Sequence, residues 1–133
     1  MVEVLILKKR KDFVRVASKG LKMVTSSLIL QAAQNLCAKN ENCRLGYTAT
    51  KKLGKAHLRN RTKRRLRAAA GQIFPQNALP NTDYVLIGRY NTASCDFSEL
   101  RKNMFDALKR INKLLTKEAT DEKTDLPASD SAC

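Results

Sequence analysis

KKLGKAHLRNRTKRRLR, residues 51–67, carries nine Lys or Arg in seventeen positions and no acid. Such a run is either a self-repelling tail or an ordered element facing something anionic, and its apolar spacing decides between them. Leu58, Leu66, Ala69, Ala70 and Ile73, with Thr62 filling the gap, fall within one sector of a helix wheel at about 100° per residue. Arg61, Lys63, Arg64, Arg65 and Arg67 fan across the remaining surface. Leu, Arg, Lys and Ala all favour helix. The stretch therefore predicts an amphipathic helix with one core face and one cationic face.

Working outward, Gly54 punctuates the chain before this helix. Upstream, CRLGYTAT (43–50) alternates Leu45, Tyr47 and Ala49 with Arg44, Gly46 and Thr48, the period of a half-buried strand. NLCAKNEN (35–42) is a polar connection. TSSLILQAA (25–33) reads as a strand, β-branched at its start and apolar in its middle. RKDFVRVASKG predicts a short helix over 10–18, with Phe13, Val16 and Ala17 at i, i+3 and i+4 and Gly20 as the stop. Downstream, Pro75 and Pro80 enclose a loop, and TDYVLIGRY (82–90) is a buried strand. A long helix follows, with Phe97, Leu100, Met104, Leu108, Ile111 and Leu115 on one face and Asp96 and Glu99 spaced as in a capping box. The expected order is α-β-β-α-β-α, one small mixed α/β domain over residues 1–116. Residues 117–133 lack the apolar content to order themselves and read as an acidic, disordered tail.

The bulk composition narrows the function. The chain has 133 residues, 26 Lys and Arg against 12 Asp and Glu, and a net charge of +14. The tail from Lys117 on carries −3, leaving +17 on residues 1–116. Self-repulsion on that scale destabilises a small domain, and a polyanionic partner is the usual reason to tolerate it. No stretch approaches the roughly 18 consecutive apolar residues of a membrane span, and the N-terminal apolar run is shorter than a secretory core. A cytoplasmic, reducing location is expected. Cys37, Cys43, Cys95 and Cys133 form no CxxC pair, and His57 is the sole histidine, so free thiols are expected rather than a metal site. No carboxylate or thiol stands at motif spacing from His57, which excludes a credible acid–base or nucleophilic centre in the protein itself.

The cationic helix suits nucleic acid. Each neutralised phosphate releases condensed counterions, and Arg adds planar, bidentate geometry; five of the nine cations are Arg. An ordinary solvated helix mixes signs to gain i,i+4 pairs, whereas here the nearest acids are Glu41 and Asp83. Composition does not separate RNA from DNA. A structural RNA-binding protein, such as a ribosomal protein, or a nonspecific DNA-compacting protein would explain the charge equally well.

RNRTKRRLR (59–67), preceded by KKLGKA (51–56), resembles the RNR motif of the bacterial ribonuclease P protein family: Arg59, Asn60, Arg61, Lys63, Arg64 and Arg67 fill each motif position. LKKRKDFVRVASKG resembles that family's first helix, CRLGYTATKK its central strand and following turn, and DYVLIGR its last strand, so the likeness covers roughly residues 5–116. The resemblance implies an α/β sandwich in which the basic helix occupies a left-handed crossover between parallel strands, against the usual handedness. It implies the protein subunit of ribonuclease P, which binds a catalytic RNA and promotes removal of the 5′ leader from precursor tRNA. Hydrolysis then belongs to the RNA and its bound Mg²⁺, and the protein is an accessory subunit with no catalytic residue. Neither a membrane nor an obligatory protein partner is implied.

Two surfaces follow from that resemblance. Arg59, Asn60, Arg61, Lys63, Arg64, Arg67 and Lys55 would contact the RNA subunit, helping to hold metal ions through its phosphates. Phe13, Lys51 and Lys52 would line a cleft for the single-stranded leader, where an unstacked base rests on an aromatic ring. Phe13 fits a core position equally well. Many relatives carry a second aromatic where this chain has Ala17, and some a strand aromatic near Leu30–Gln31, so backbone charge would contribute more here. Asn60 reads either as a spacer or as an amide that reaches a base or sugar.

Overall fold

The strand Thr82–Gly88 sends Tyr84 and Leu86 to one side and Asp83, Val85 and Ile87 to the other, and this alternation divides the molecule into two layers. The computed structural model describes residues 3–34, 42–50, 52 and 54–122, the last six as backbone only. Its elements are β1 (Val4–Ile6), α1 (Arg10–Lys19), β2 (Leu21–Val24), β3 (Leu28–Gln34), β4 (Cys43–Thr48), α2 (Ala56–Asn77), β5 (Thr82–Gly88) and α3 (Phe97–Glu122). The five strands order β1-β4-β5-β3-β2. β1–β4 and β4–β5 are parallel, while β5–β3 and β3–β2 are antiparallel. The basic helix α2 is the connection between the parallel neighbours β4 and β5.

The larger core lies between the sheet and the helices α2 and α3. Leu28, Leu30, Leu45, Tyr84 and Leu86 of the sheet meet Leu66, Ala69, Ala70, Ile73 and Phe74 of α2 and Leu100, Met104, Leu108, Ile111 and Leu115 of α3. Phe74 and Tyr84 meet edge to face at 5.2 Å. The buried Tyr84 hydroxyl donates to Asn112 Oδ1 at 2.6 Å and accepts the Leu79 N–H at 2.9 Å, so its desolvation is offset. Burial also pushes the Cys43 thiol up to about 11. The smaller core, Leu7, Val16, Ala33 and Val85, lies under α1.

The α1 side also holds the molecule's ionic centre. Asp83, 1% exposed, accepts two hydrogen bonds from Arg44, Nε to Oδ1 at 2.8 Å and Nη2 to Oδ2 at 2.6 Å. Arg15 of α1 also donates to Asp83 Oδ2 and, through Nη1, to the Gln34 carbonyl at 3.2 Å. Arg44 Nη1 reaches Asp12 Oδ2 at 3.3 Å. The hydrogen bonds to Asp83 hold the Arg44 guanidinium above its ordinary pKa. Two carboxylates and two guanidiniums thus bind α1 across β4 and β5.

The mixed α/β class stands, and the element order needs correction. Two strands join the expected α-β-β-α-β-α series, β1 and β2, each too short to show a period in sequence. The expected strand over 25–33 begins later: Thr25 belongs to a hairpin turn, its Oγ1 accepting the Leu28 N–H at 3.0 Å, and β2 pairs back on β3. Pro75 lies inside α2 rather than opening a loop. It removes one helical hydrogen bond, to the carbonyl of exposed Gly71, in a helix that ends at Asn77. The helix α3 continues to Glu122, beyond the boundary drawn at 117, and residues 123–133 of the expected tail lie outside the described residues. No helix among the described residues is long and apolar enough to cross a membrane.

Removing one member of a buried ion cluster leaves uncompensated charge. Asp83→Ala is expected to cost about 3 kcal/mol in urea unfolding, and a loss under about 1 kcal/mol would show that the four charges do not hold the sheet to α1.

Candidate nucleic-acid interface

The helix α2 presents its cations because its other face is fully used. Thr62, Leu66, Ala69, Ala70, Ile73 and Phe74 are buried, and Thr62 satisfies its hydroxyl by donating to the Leu58 carbonyl at 2.8 Å. Leu58, expected on the core face, stays 36% exposed near the first turn. Gly54, at φ 116, makes the left-handed turn that brings the chain into the helix. Lys55 is the N-cap and offers no side-chain cap, and no acid stands in the first turn. Cations at a helix N-terminus oppose the macrodipole, so this end of α2 is electrostatically unsatisfied in the free protein.

Asn60, Arg64 and Arg67 are exposed and lie at i, i+4 and i+7, one stripe along the helix. Arg59 and Lys63 are half-buried beside them, and the Arg59 Nε is buried with no partner among the described residues. The side chains of Asn60, Lys63 and Arg64 make no hydrogen bond or ion pair with described residues. Arg67 places its guanidinium 5.3 Å from the centre of the Tyr47 ring. Burial raises the Tyr47 hydroxyl pKa, and Arg67 acts the opposite way.

Two arginines on the opposite flank of α2 act as fasteners. Arg61, an expected RNA contact, donates its Nε to the Ala93 carbonyl at 2.8 Å. Arg65, read in the sequence as a surface cation but not as an RNA contact, donates to the Thr92 carbonyl at 2.7 Å and to that of Cys95, and lies 5.9 Å from the Phe97 ring centre. The turn they grip is tied to the β2–β3 hairpin: Thr92 Oγ1 donates to the Ser27 carbonyl, and Arg89 Nη1 to the Thr25 carbonyl at 2.7 Å. An i,i+4 pair of Arg is visible in sequence, but its carbonyl partners thirty residues away are not.

The other candidate surface lies on the α1 side of the sheet. Phe13 is half-buried, and its ring lies against Gly46; a Cβ there would stand 2.5 Å from the ring's Cε1 and Cζ. It packs on the smaller core, as a core position would, and keeps one part exposed. Beyond the ring, strand pairing aligns Val24, Ile29, Ile87 and Thr48 in a row across the sheet, none of them fully buried. The adjoining row runs Lys22, Gln31, Val85 and Gly46. The result is an open floor beside α1, apolar in the middle with Lys22 at its edge. Lys52 is exposed just after β4, and Lys51 lies outside the described residues.

The chain's relatives agree with this geometry. The family model described as Ribonuclease P matches residues 1–112. The ribonuclease P protein component of Paramagnetospirillum magneticum is 44% identical over 110 residues, covering 81% of this chain and 83% of that protein. That of Ruegeria pomeroyi is 40% identical over 108 residues, covering 80% and 86%. Among solved structures, the RNase P protein of Thermotoga maritima superposes with a TM-score of 0.68 at 27% identity, over 79% of this chain and 96% of that one. That of Staphylococcus aureus gives 0.67 at 27% identity, over 78% and 92%.

The two kinds of arginine separate in stability measurements. Arg65→Ala is expected to lower unfolding free energy by about 1–3 kcal/mol through the orphaned carbonyls. Arg64→Ala should stay within about 0.5 kcal/mol of the parent, as for a surface site. Equal losses would show that Arg65 is no fastener.

Proposed function

The chain belongs to the ribonuclease P protein family, and from that premise we propose how its two surfaces share the handling of RNA. It is a protein subunit of ribonuclease P, a ribonucleoprotein endoribonuclease of tRNA processing, and pairs with a catalytic RNA. The stripe Asn60, Arg64 and Arg67, flanked by Arg59, Lys63 and Lys55, docks on phosphates of that RNA. The carrying observation is the cationic stripe itself: ordered, exposed, without acidic partners, and set on a helix whose first turn opposes its own dipole. Arg61 contributes its remaining guanidinium N–H groups while its Nε stays on Ala93.

The sheet floor beside Phe13 receives the 5′ leader of precursor tRNA. A base laid against the exposed part of the ring, with phosphates near Lys22, Lys51 and Lys52, uses stacking and charge without reading sequence. Thr48, in the groove's row, ends β4, and α2 is the next element in the chain, so leader and RNA subunit would be held on one small domain. That juxtaposition contributes orientation to a reaction carried out on the RNA.

Arg, Lys and Asn at this surface do not form a carboxylate or imidazole set, and no cluster of three His, Cys, Asp or Glu able to hold a metal occurs among the described residues. These residues do not fit direct ligation of Mg²⁺. In this reading the ion sits on RNA phosphates, and the protein acts on it only by neutralising the surrounding charge. The same reading places the subunit in the cytoplasm, where tRNA precursors are made.

Reconstitution tests the proposal. Adding the chain to its RNA partner should permit cleavage of precursor tRNA at a Mg²⁺ concentration too low for the RNA alone, while the chain by itself leaves the substrate intact. Arg64→Ala should weaken RNA-subunit binding and reduce the slope of log K against log salt by about 1. Phe13→Ala should lower affinity for precursor tRNA more than for mature tRNA. Equal loss for both substrates would make Phe13 a packing residue alone.

A further inference from the structure

The face of α2 that carries the cationic stripe does not stop at Arg67. Gly71 and Pro75 continue it at i+11 and i+15 from Asn60, and there they become one wall of a cavity of about 210 Å³. Leu45, Tyr47, Arg67, Ala70 and the three residues of β1 complete its lining. The opposite wall is β1, an edge strand whose Ile6 is 64% exposed. The cavity is smaller than the roughly 300–1,000 Å³ of a drug-sized ligand site, which suits a single flat ring system.

We propose that this cavity takes one unpaired nucleobase of the RNA docked on α2. The proposal rests on the RNA-docking reading above and gives it a base-binding end. Three observations carry it. The Arg67 guanidinium lies over Tyr47 at the mouth, a planar cation on an aromatic ring, and such planes are surfaces on which extruded RNA bases stack. Pro75 has no N–H to give to the Gly71 carbonyl, so this wall of the cavity holds an acceptor without its usual helical donor. A Cβ at Gly71 would meet nothing within 4 Å, so this wall has open space beside it. Charge complementarity selects the occupant. Arg64 and Arg67 lead a phosphate backbone along the helix to the cavity mouth, seven residues and about 10 Å from Arg64 to Gly71.

Gly71→Leu tests this without touching any charge. It fills the cavity from an open position and raises helix propensity, so the variant should fold at least as stably as the parent. Its affinity for the RNA subunit should fall about five- to a hundredfold, the worth of one stacked base, with an unchanged salt slope. Arg64→Ala should lower both affinity and slope. A normal Arg64→Ala would overturn the docking reading, whereas a Gly71→Leu chain that binds RNA like the parent would overturn the cavity alone. On the parent protein, adenosine 5′-monophosphate should shift the amide resonances of Gly71, Leu45 and Tyr47, and ribose 5-phosphate should leave them in place. Equal shifts from both would make the site one for phosphate and refute the proposal. So would a parent dimer that Gly71→Leu converts to monomer, since a second copy would then be the occupant.

Discussion

A carboxylate with 1% exposure at the centre of the sheet, Asp83, is the constraint around which the α1 half is arranged. Burying one anion is costly, and two guanidiniums on different elements offset that cost, so strand pairing and helix docking become one event. β4 cannot shift its register against β5 without withdrawing Arg44 from Asp83, and α1 cannot slide without losing Arg15 and Asp12. The floor beside Phe13 inherits its shape from that lock.

On the opposite side the organising element is α2, which serves three neighbours with three flanks. One flank is core, one carries the free cations, and one holds the turn after β5 through Arg61 and Arg65. Fixing the cations on a packed helix means that little further ordering entropy is lost when RNA binds. The electrostatic cost of gathering them is carried by the hydrophobic core beneath, where Leu66, Ala69 and Phe74 seal against the sheet.

Much of this was legible in the residues. The α2 period identified its buried face, apart from Leu58, which stays exposed, and Phe74, which it did not name; the alternation read over 43–50 found β4 at 43–48; and from Leu100 to Leu115 the long helix buries the residues its spacing named. What was not legible has physical causes. Three- and four-residue edge strands are shorter than the window in which a period can be seen, so β1 and β2 went unread. Arg44 alternates as a solvent residue would, and only tertiary structure reveals the anion beneath it. Thr25 has a strand former's side chain, yet its hydroxyl closes a turn. Pro75 marks the end of a helix in most sequences, but here it sits in the final turn, where losing one hydrogen bond is tolerable. The cationic stripe was visible early, and its continuation into a cavity needed β1 to be in place.

At Gly20 the chain passes from α1 into β2 with no room to spare: a Cβ there would stand 2.4 Å from the Ala32 carbonyl oxygen and 2.5 Å from that of Val16. With the far side of the helix tethered through Asp12 and Arg15, neither end of α1 has slack. The floor beside α1 is therefore bordered by a fixed wall and not by a jaw. On the reading proposed above, a strand of RNA would enter it from the open side, and thickness rather than closure would sort what fits, admitting a single strand and turning away a duplex.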